Sequence, residues 1–262
     1  MSSRRVIQPG ELQPITSRRL RGFRPIYQKE LAYWFGTQRW LSQLIIWLSL
    51  TVVPLVGLTP PTSDRGISIL TLFLWLGGTL MSIGTIVLAQ GSIIEEKLTQ
   101  TLLWICSKPL SSTALILAKF LAHAVFIGVI MLGGSAIFTY VAALIFGLPP
   151  QISLLNYLLG VWMIYLMLLF TLAFTLMLGT IFNRVGTVMA ISLFVFFGGA
   201  SLNANPQLRG IKPYTVWALQ SDATAAVAGR FSSELWIAMS STIAFTVLWL
   251  LIAIWQMKRY EL

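Results

Sequence analysis

Charge is scarce in this 262-residue chain: Asp, Glu, Lys and Arg make up 10% of it, against about 25% in an ordinary soluble domain. A very large soluble core does not rescue that reading, because several segments run apolar for about 20 residues, longer than soluble core helices do. The single cysteine, Cys106, excludes a disulfide framework within the chain. The single histidine, His123, cannot make a metal site by itself, and no acidic cluster lies near it in sequence. The eight acidic residues (Glu11, Glu30, Asp64, Glu95, Glu96, Asp222, Glu234 and Glu261) fall outside the hydrophobic middles of the apolar segments. Intramembrane carboxylates are the usual elements of proton- or sodium-driven transport, so their absence there argues against a secondary transporter. It argues equally against a hydrolase with an acidic constellation in the bilayer. A G-x-x-x-x-G-K-[ST] phosphate loop is missing, and so is any Gly-Lys dipeptide. The chain is therefore not expected to bind ATP by the usual loop.

What is present is a series of apolar runs at Leu41–Leu58, Ile67–Ala89, Leu115–Phe146, Leu154–Phe182, Val185–Leu202 and Leu235–Trp255. In lipid every backbone donor and acceptor must be satisfied within its own element, which makes such runs helices. No alternation of the β-barrel kind is visible. The expectation is an all-α polytopic membrane protein of about six transmembrane helices. It divides into a basic cytoplasmic tail over 1–22 and a single transmembrane domain over 23–262. Residues 1–22 contain no apolar core of a signal peptide, so the first run is expected to be a true anchor. Fourteen of the 18 Lys and Arg residues fall on the side of both termini and of the 90–113 loop. Arg65, Arg209, Lys212 and Arg230 are on the other. The positive-inside bias places both termini in the cytoplasm of a cell with an inner membrane. It also accounts for the net charge of +10 through contact with anionic lipid, without nucleic acid.

Between the spans, three segments stand out. Over 23–40, Tyr27, Leu31, Trp34 and Phe35 share one face, while Arg24, Gln28 and Lys29 lie elsewhere; Lys29 and Glu30 are counted with Tyr27, Leu31 and Trp34 among the helix's candidate residues. The pattern predicts an amphipathic helix lying in the membrane interface. The loop over 203–233 is long and only moderately polar, with a short helix predicted over Tyr214–Ala228 that puts Trp217 and Leu219 on its apolar side. Such loops are more often functional than not. The third segment is a polar island from Gln90 to Ala122, carrying Glu95, Glu96, Lys97, Lys108 and Lys119. It predicts a short amphipathic helix with Leu98, Leu102 and Ile105 against the bundle and Glu96, Lys97 and Gln100 toward the cytosol. A turn at Pro109 and the start of the next helix follow. His123, one turn after Lys119, shares its face. It is read either as structural or interfacial, or as a contact for gating or substrate. Small residues repeat every four positions at Ser135, Thr139, Ala143 and Gly147, and again at Ala114, Ala118 and Ala122. Such stripes let helix backbones approach closely, within the bundle or at a dimer seam.

The island carries a resemblance. Glu95 or Glu96, then Gln100-Thr101-Leu102, then Ser107-Lys108-Pro109-Leu110-Ser111, then Ala118-Lys119, resemble the cytoplasmic loop of ABC-2 type permeases, the membrane subunits of bacterial ABC exporters. That family has a Glu, a Gly-Thr-Leu or Gly-Thr-Ala run, a Ser/Thr-x-Pro-Val/Leu-Ser-Arg turn and a Gly/Ala-Lys pair. Gln100 and Ser112 depart from its pattern. Lys29-Glu30-Leu31 is similar to the family's interfacial segment, the loop before the last span to its re-entrant segment, and Lys258-Arg259 to its basic ending. The Lys119…His123 spacing is similar to the copper-enzyme-maturation branch. The resemblance implies a permease subunit that is not itself an enzyme and exports an amphiphilic or hydrophobic compound. Its coupling residues would be Glu95, Glu96, Lys97, Thr101, Leu102, Lys108, Pro109 and Lys119. It implies no cofactor on this chain, with ATP and Mg held by separate ATP-binding cassette ATPase subunits, and a second permease copy or homologue as partner. Two other classes stay open on the sequence: a membrane scaffold or sensor that transports nothing, and a lipid-modifying enzyme, for which no polar catalytic cluster is visible.

Overall fold

Apolar runs give the backbone no partner but itself in lipid, and the computed structural model of the chain is 83% helical, with no strand among the described residues. It describes residues 22–62, 64–98, 111–150, 152–203, 205, 207 and 210–259. Helix α1 is Phe23–Phe35 and α2 is Arg39–Leu58. Helix α3 covers 65–89 and, after a turn, the short α4 is Ile94–Leu98. Then follow α5 (Ser112–Ile145) and α6 (Leu154–Ile181), α7 (Val185–Asn203), α8 (Ala218–Val227) and α9 (Leu235–Lys258). Five stretches are long and apolar enough to cross a membrane: α2, 65–98, α5, α6 and α9. The sixth expected span, α7, carries a shorter apolar stretch, Val185–Ser201. The chain is an all-α polytopic membrane protein.

The interfacial helix expected over 23–40 ends earlier, at Phe35. Gly36 closes it by donating its N–H to the Ala32 carbonyl, where a Cβ would stand 2.6 Å from that same oxygen. The chain resumes as helix at Arg39, so Trp40 belongs to the first span.

The bundle is built around α5 and α6, 72% of whose most apolar windows are buried, against 17% for α2 and 28% for α9. The small-residue stripes explain the close approach. Ser135, Thr139 and Ala143 are fully buried where α5 packs on the start of α3 and on α2. Ala114, Ala118 and Ala122 are fully buried in the segment of α5 that packs on α1. The buried members of both stripes thus serve packing within the chain, while Gly147, the last of the first stripe, lies exposed in the turn beyond α5 with a φ of 85°.

Three spans widen into π-helix along their length: α2 at Leu48–Val52, α3 at Phe73–Gly77 and α5 at Ile127–Gly134. The segment in α2 touches the one in α3. A π-turn leaves carbonyls off the regular ladder, and such turns are frequent at functional positions.

The helix expected over Tyr214–Ala228 is present as the shorter α8, with Leu219 fully buried; Tyr214 belongs to a separate 3-10 turn that ends in extended backbone at Thr215, and Trp217 caps α8 from outside it. Helix α8 packs on α6, α3 and α9. A Cβ on Gly160 of α6 would lie 2.9 Å from the Ala223 carbonyl oxygen, so glycine is what permits the contact. Gln220 then reaches across to α3, donating from Nε2 to the π-segment carbonyl of Trp75 at 2.5 Å and to Thr79 Oγ1 at 2.8 Å. Gln220→Leu is expected to cost about 1–2 kcal/mol, the worth of a partly shielded hydrogen bond. Thermal unfolding of the purified protein measures this, and an unchanged midpoint would show that the link contributes nothing.

Candidate functional site

The island residues and α1 meet at one end of the bundle. Ser111 adopts extended backbone and caps α5, its hydroxyl accepting from the Ala114 N–H at 3.1 Å, the usual role of serine at a helix start. That start fixes the phase of α5 and points Lys119 at α1. Along α1, Phe23, Ile26, Tyr27, Glu30, Leu31 and Trp34 form the inward face, at helical spacing. One member of this otherwise apolar face is a carboxylate.

Lys119 is the centre of the arrangement. Its Nζ lies 3.0 Å from Glu30 Oε1 on α1 and 3.0 Å from Glu96 Oε1 on α4. The three side chains are 4%, 11% and 12% exposed. Lys29, on the exposed flank of α1, stands 4.0 Å from Glu96 Oε1. The four charges sum to zero, as a shielded cluster requires if it is not to leave an unpaired ion. The cluster joins three elements that are far apart in sequence.

His123, one turn beyond Lys119, is buried, with Nδ1 2.9 Å from the Lys119 carbonyl oxygen. A carbonyl only accepts, so Nδ1 carries the proton in this contact. Trp34 meets the His123 ring edge-on at 5.6 Å and stacks on Phe126 at 4.1 Å. These rings seal the apolar side of the cluster. Tyr27 stacks on Phe23 at 5.6 Å and leaves the charges to Glu30.

Lys97 makes a separate link. Its Nζ donates to the Thr180 carbonyl at 2.7 Å and approaches Asn183 Oδ1 at 3.4 Å. A cation on the last carbonyls of α6 is favoured by the unsatisfied groups and dipole of a helix end. Helix α4 is thus fastened to α1 and α5 through Glu96 and to the α6–α7 turn through Lys97.

This corrects the expected facing of the island helix. Glu96 and Lys97 point into the bundle, not away from it, while Leu98 is 68% exposed. The turn at Gln90–Ile93 resets the helical phase, and the buried Lys119 ammonium outweighs one leucine in choosing which side turns inward. Glu95 remains exposed, bent over Gly91. Of the other expected coupling residues, Thr101, Leu102, Lys108 and Pro109 lie outside the described residues.

Beside the cluster lies a cavity of about 520 Å³, walled by α1, the 90–93 turn, α4, the start of α7 and the Lys119–His123 turn of α5. Four buried polar atoms on its lining residues have no hydrogen-bond partner: Trp34 Nε1, Gln90 Oε1, Ser92 Oγ and Glu96 Oε2. Gln90 and Ser92 were not singled out in the sequence; their only signal was membership of the polar island. Among the described residues no group of His, Cys, Asp and Glu is arranged to hold a metal. The chain matches no protein-family model and no curated protein.

Proposed function

We propose that the chain is the membrane-spanning permease subunit of an ATP-driven exporter. It works with separate ATP-binding cassette ATPase subunits and a second permease copy or homologue in the cytoplasmic membrane, with both termini inside. One observation carries this reading. The polar island that a partner would meet is tied by a buried ion cluster to two other elements, Glu30 on the interfacial helix and Lys119 on a central span. A helix that merely rested on the bilayer would need no such cluster, since exposed charges gain little from pairing. Shielded charges convert a displacement of α4 into a choice for Lys119 between two carboxylates. That is the two-state element a coupled machine requires. Lys97 makes α6 follow the same displacement. The transported compound is amphiphilic or hydrophobic, in keeping with walls that offer it apolar spans.

The experiment is purification from native membranes with a tag on the chain. The expected result is an ATP-binding cassette chain in the same complex and ATP hydrolysis only when it is present. Hydrolysis by the pure single chain, or a complex that never contains an ATPase, overturns the proposal. Labelling of Cys106 in intact cells checks the orientation: the thiol should react only after the membrane is opened.

A further inference from the structure

The unpartnered atoms beside the ion cluster define the chemistry of a ligand. Trp34 is 6% exposed, and its Nε1–H is a donor without an acceptor. Gln90 Oε1 and Glu96 Oε2 are acceptors without donors, and Ser92 Oγ can serve either way. Native proteins leave few such groups unsatisfied, and each one calls for an explanation. The four atoms have almost no exposed surface as the side chains stand, and the broad terminal torsions of Gln and Glu are the route by which their oxygens reach the cavity that their residues line. The complement of this set is a group with several N–H donors beside one oxygen acceptor. Glu96 favours those donors on a cation, and Lys29, whose side chain is 68% exposed, favours the acceptor on an anion.

We propose that this cavity holds the phosphoethanolamine headgroup of an amino-phospholipid, its ammonium on Glu96, Gln90 and Ser92 and its phosphate toward Trp34 and Lys29. The setting supplies the lipid. The wall continues through Leu88 onto Val87, which is 45% exposed on the apolar side of α3, so acyl chains have a surface to follow from the charged end of the span. A quaternary choline headgroup keeps the phosphate but brings no N–H donors. A glycerol headgroup brings no cation.

The test uses the full purified chain in lipid discs and needs no ATPase, so it succeeds or fails apart from the transport reading. Native mass spectrometry reads the lipid retained from mixtures of phosphatidylethanolamine, phosphatidylcholine and phosphatidylglycerol. The expected result is about a tenfold preference for phosphatidylethanolamine, the worth of one charge-assisted hydrogen bond. Gln90→Leu, which removes an ammonium acceptor, should bring it close to parity, and Trp34→Phe, which removes a donor to the phosphate that all three lipids share, should lower retention of all three alike, while thermal unfolding in phosphatidylglycerol discs shows that each variant is folded. Equal retention of the three lipids overturns the site. Preference unchanged in Gln90→Leu, or total retention unchanged in Trp34→Phe, places the lipid elsewhere and also overturns it. Free phosphoethanolamine serves as competitor: failure to displace the lipid supports the membrane source. Binding of the free compound without retention of the lipid overturns that source.

Discussion

Lys119→Met is expected to produce the largest loss of stability of any single change at the charged end of the bundle. The substitution keeps the length of the side chain and removes the cation between Glu30 and Glu96. Two carboxylates, 11% and 12% exposed, are then left facing each other. Lys29 is within reach of Glu96 alone, at 4.0 Å. Removing one partner of a buried ion pair costs about 3–5 kcal/mol, because the remaining charge is desolvated without compensation. Combining Lys119→Met with Glu30→Gln and Glu96→Gln should recover much of that loss, since no unpaired ion remains. On the export function proposed above, the recovered protein should still fail to transmit substrate binding to ATP hydrolysis, because neutral groups do not exchange partners as ions do. Thermal unfolding separates the first effect, and substrate-stimulated hydrolysis by the complex separates the second. A single variant that melts with the parent protein would show that the cluster stabilises nothing.

Gly84→Ala is expected to wedge the first two spans apart. Trp47 of α2 lays its six-membered ring over Gly84 of α3, and a Cβ there would stand 2.1 Å from Cη2 and 2.3 Å from Cζ2. The ring is held by its own turn, with Nε1 donating to Gln43 Oε1 at 3.2 Å, so it does not swing away freely. Overpacking of this kind costs about 1–3 kcal/mol. Trp47→Phe deletes the two clashing atoms and by itself leaves a void. Together the two substitutions should be less harmful than the sum of each alone, with a coupling of about 0.5 kcal/mol or more. Unfolding midpoints of the four proteins in the cycle measure it. Simple additivity would mean that the two side chains do not meet.

The spans were legible in the sequence because lipid leaves an apolar run of that length one way to satisfy its backbone. The existence of helix α8 was legible too, from the apolar residues of a loop only moderately polar, but its start was not: Trp217 precedes the helix as its N-cap. Of the site, Lys119, Glu96 and His123 stood out as polar residues in an apolar chain. The partnership of Lys119 with Glu30 did not, because 89 positions separate them and nothing local to Glu30 distinguishes a carboxylate on the inner face of α1 from one on its flank. The facing of Glu96 was misread for a related reason. Amphipathic periodicity ranks leucine above glutamate for burial, and only the tertiary position of an ammonium reverses the order. The π-turns left no mark in the sequence either, since their extra residue is accommodated by neighbouring helices and by contacts such as Gln220 on the Trp75 carbonyl.

Those π-turns bear on how the bundle can deform. An α-helix advances about 100° per residue. If a wide turn migrates by one position, the residue it passes swings by about that angle, while the helix on either side keeps its hydrogen-bond ladder. Three spans carry such a turn, in α2, α3 and α5, and two of the turns touch. Each of these spans therefore carries a swivel for single side chains: a wide turn that steps along the helix re-aims the residue it passes, while both halves of the span keep their setting in the bundle.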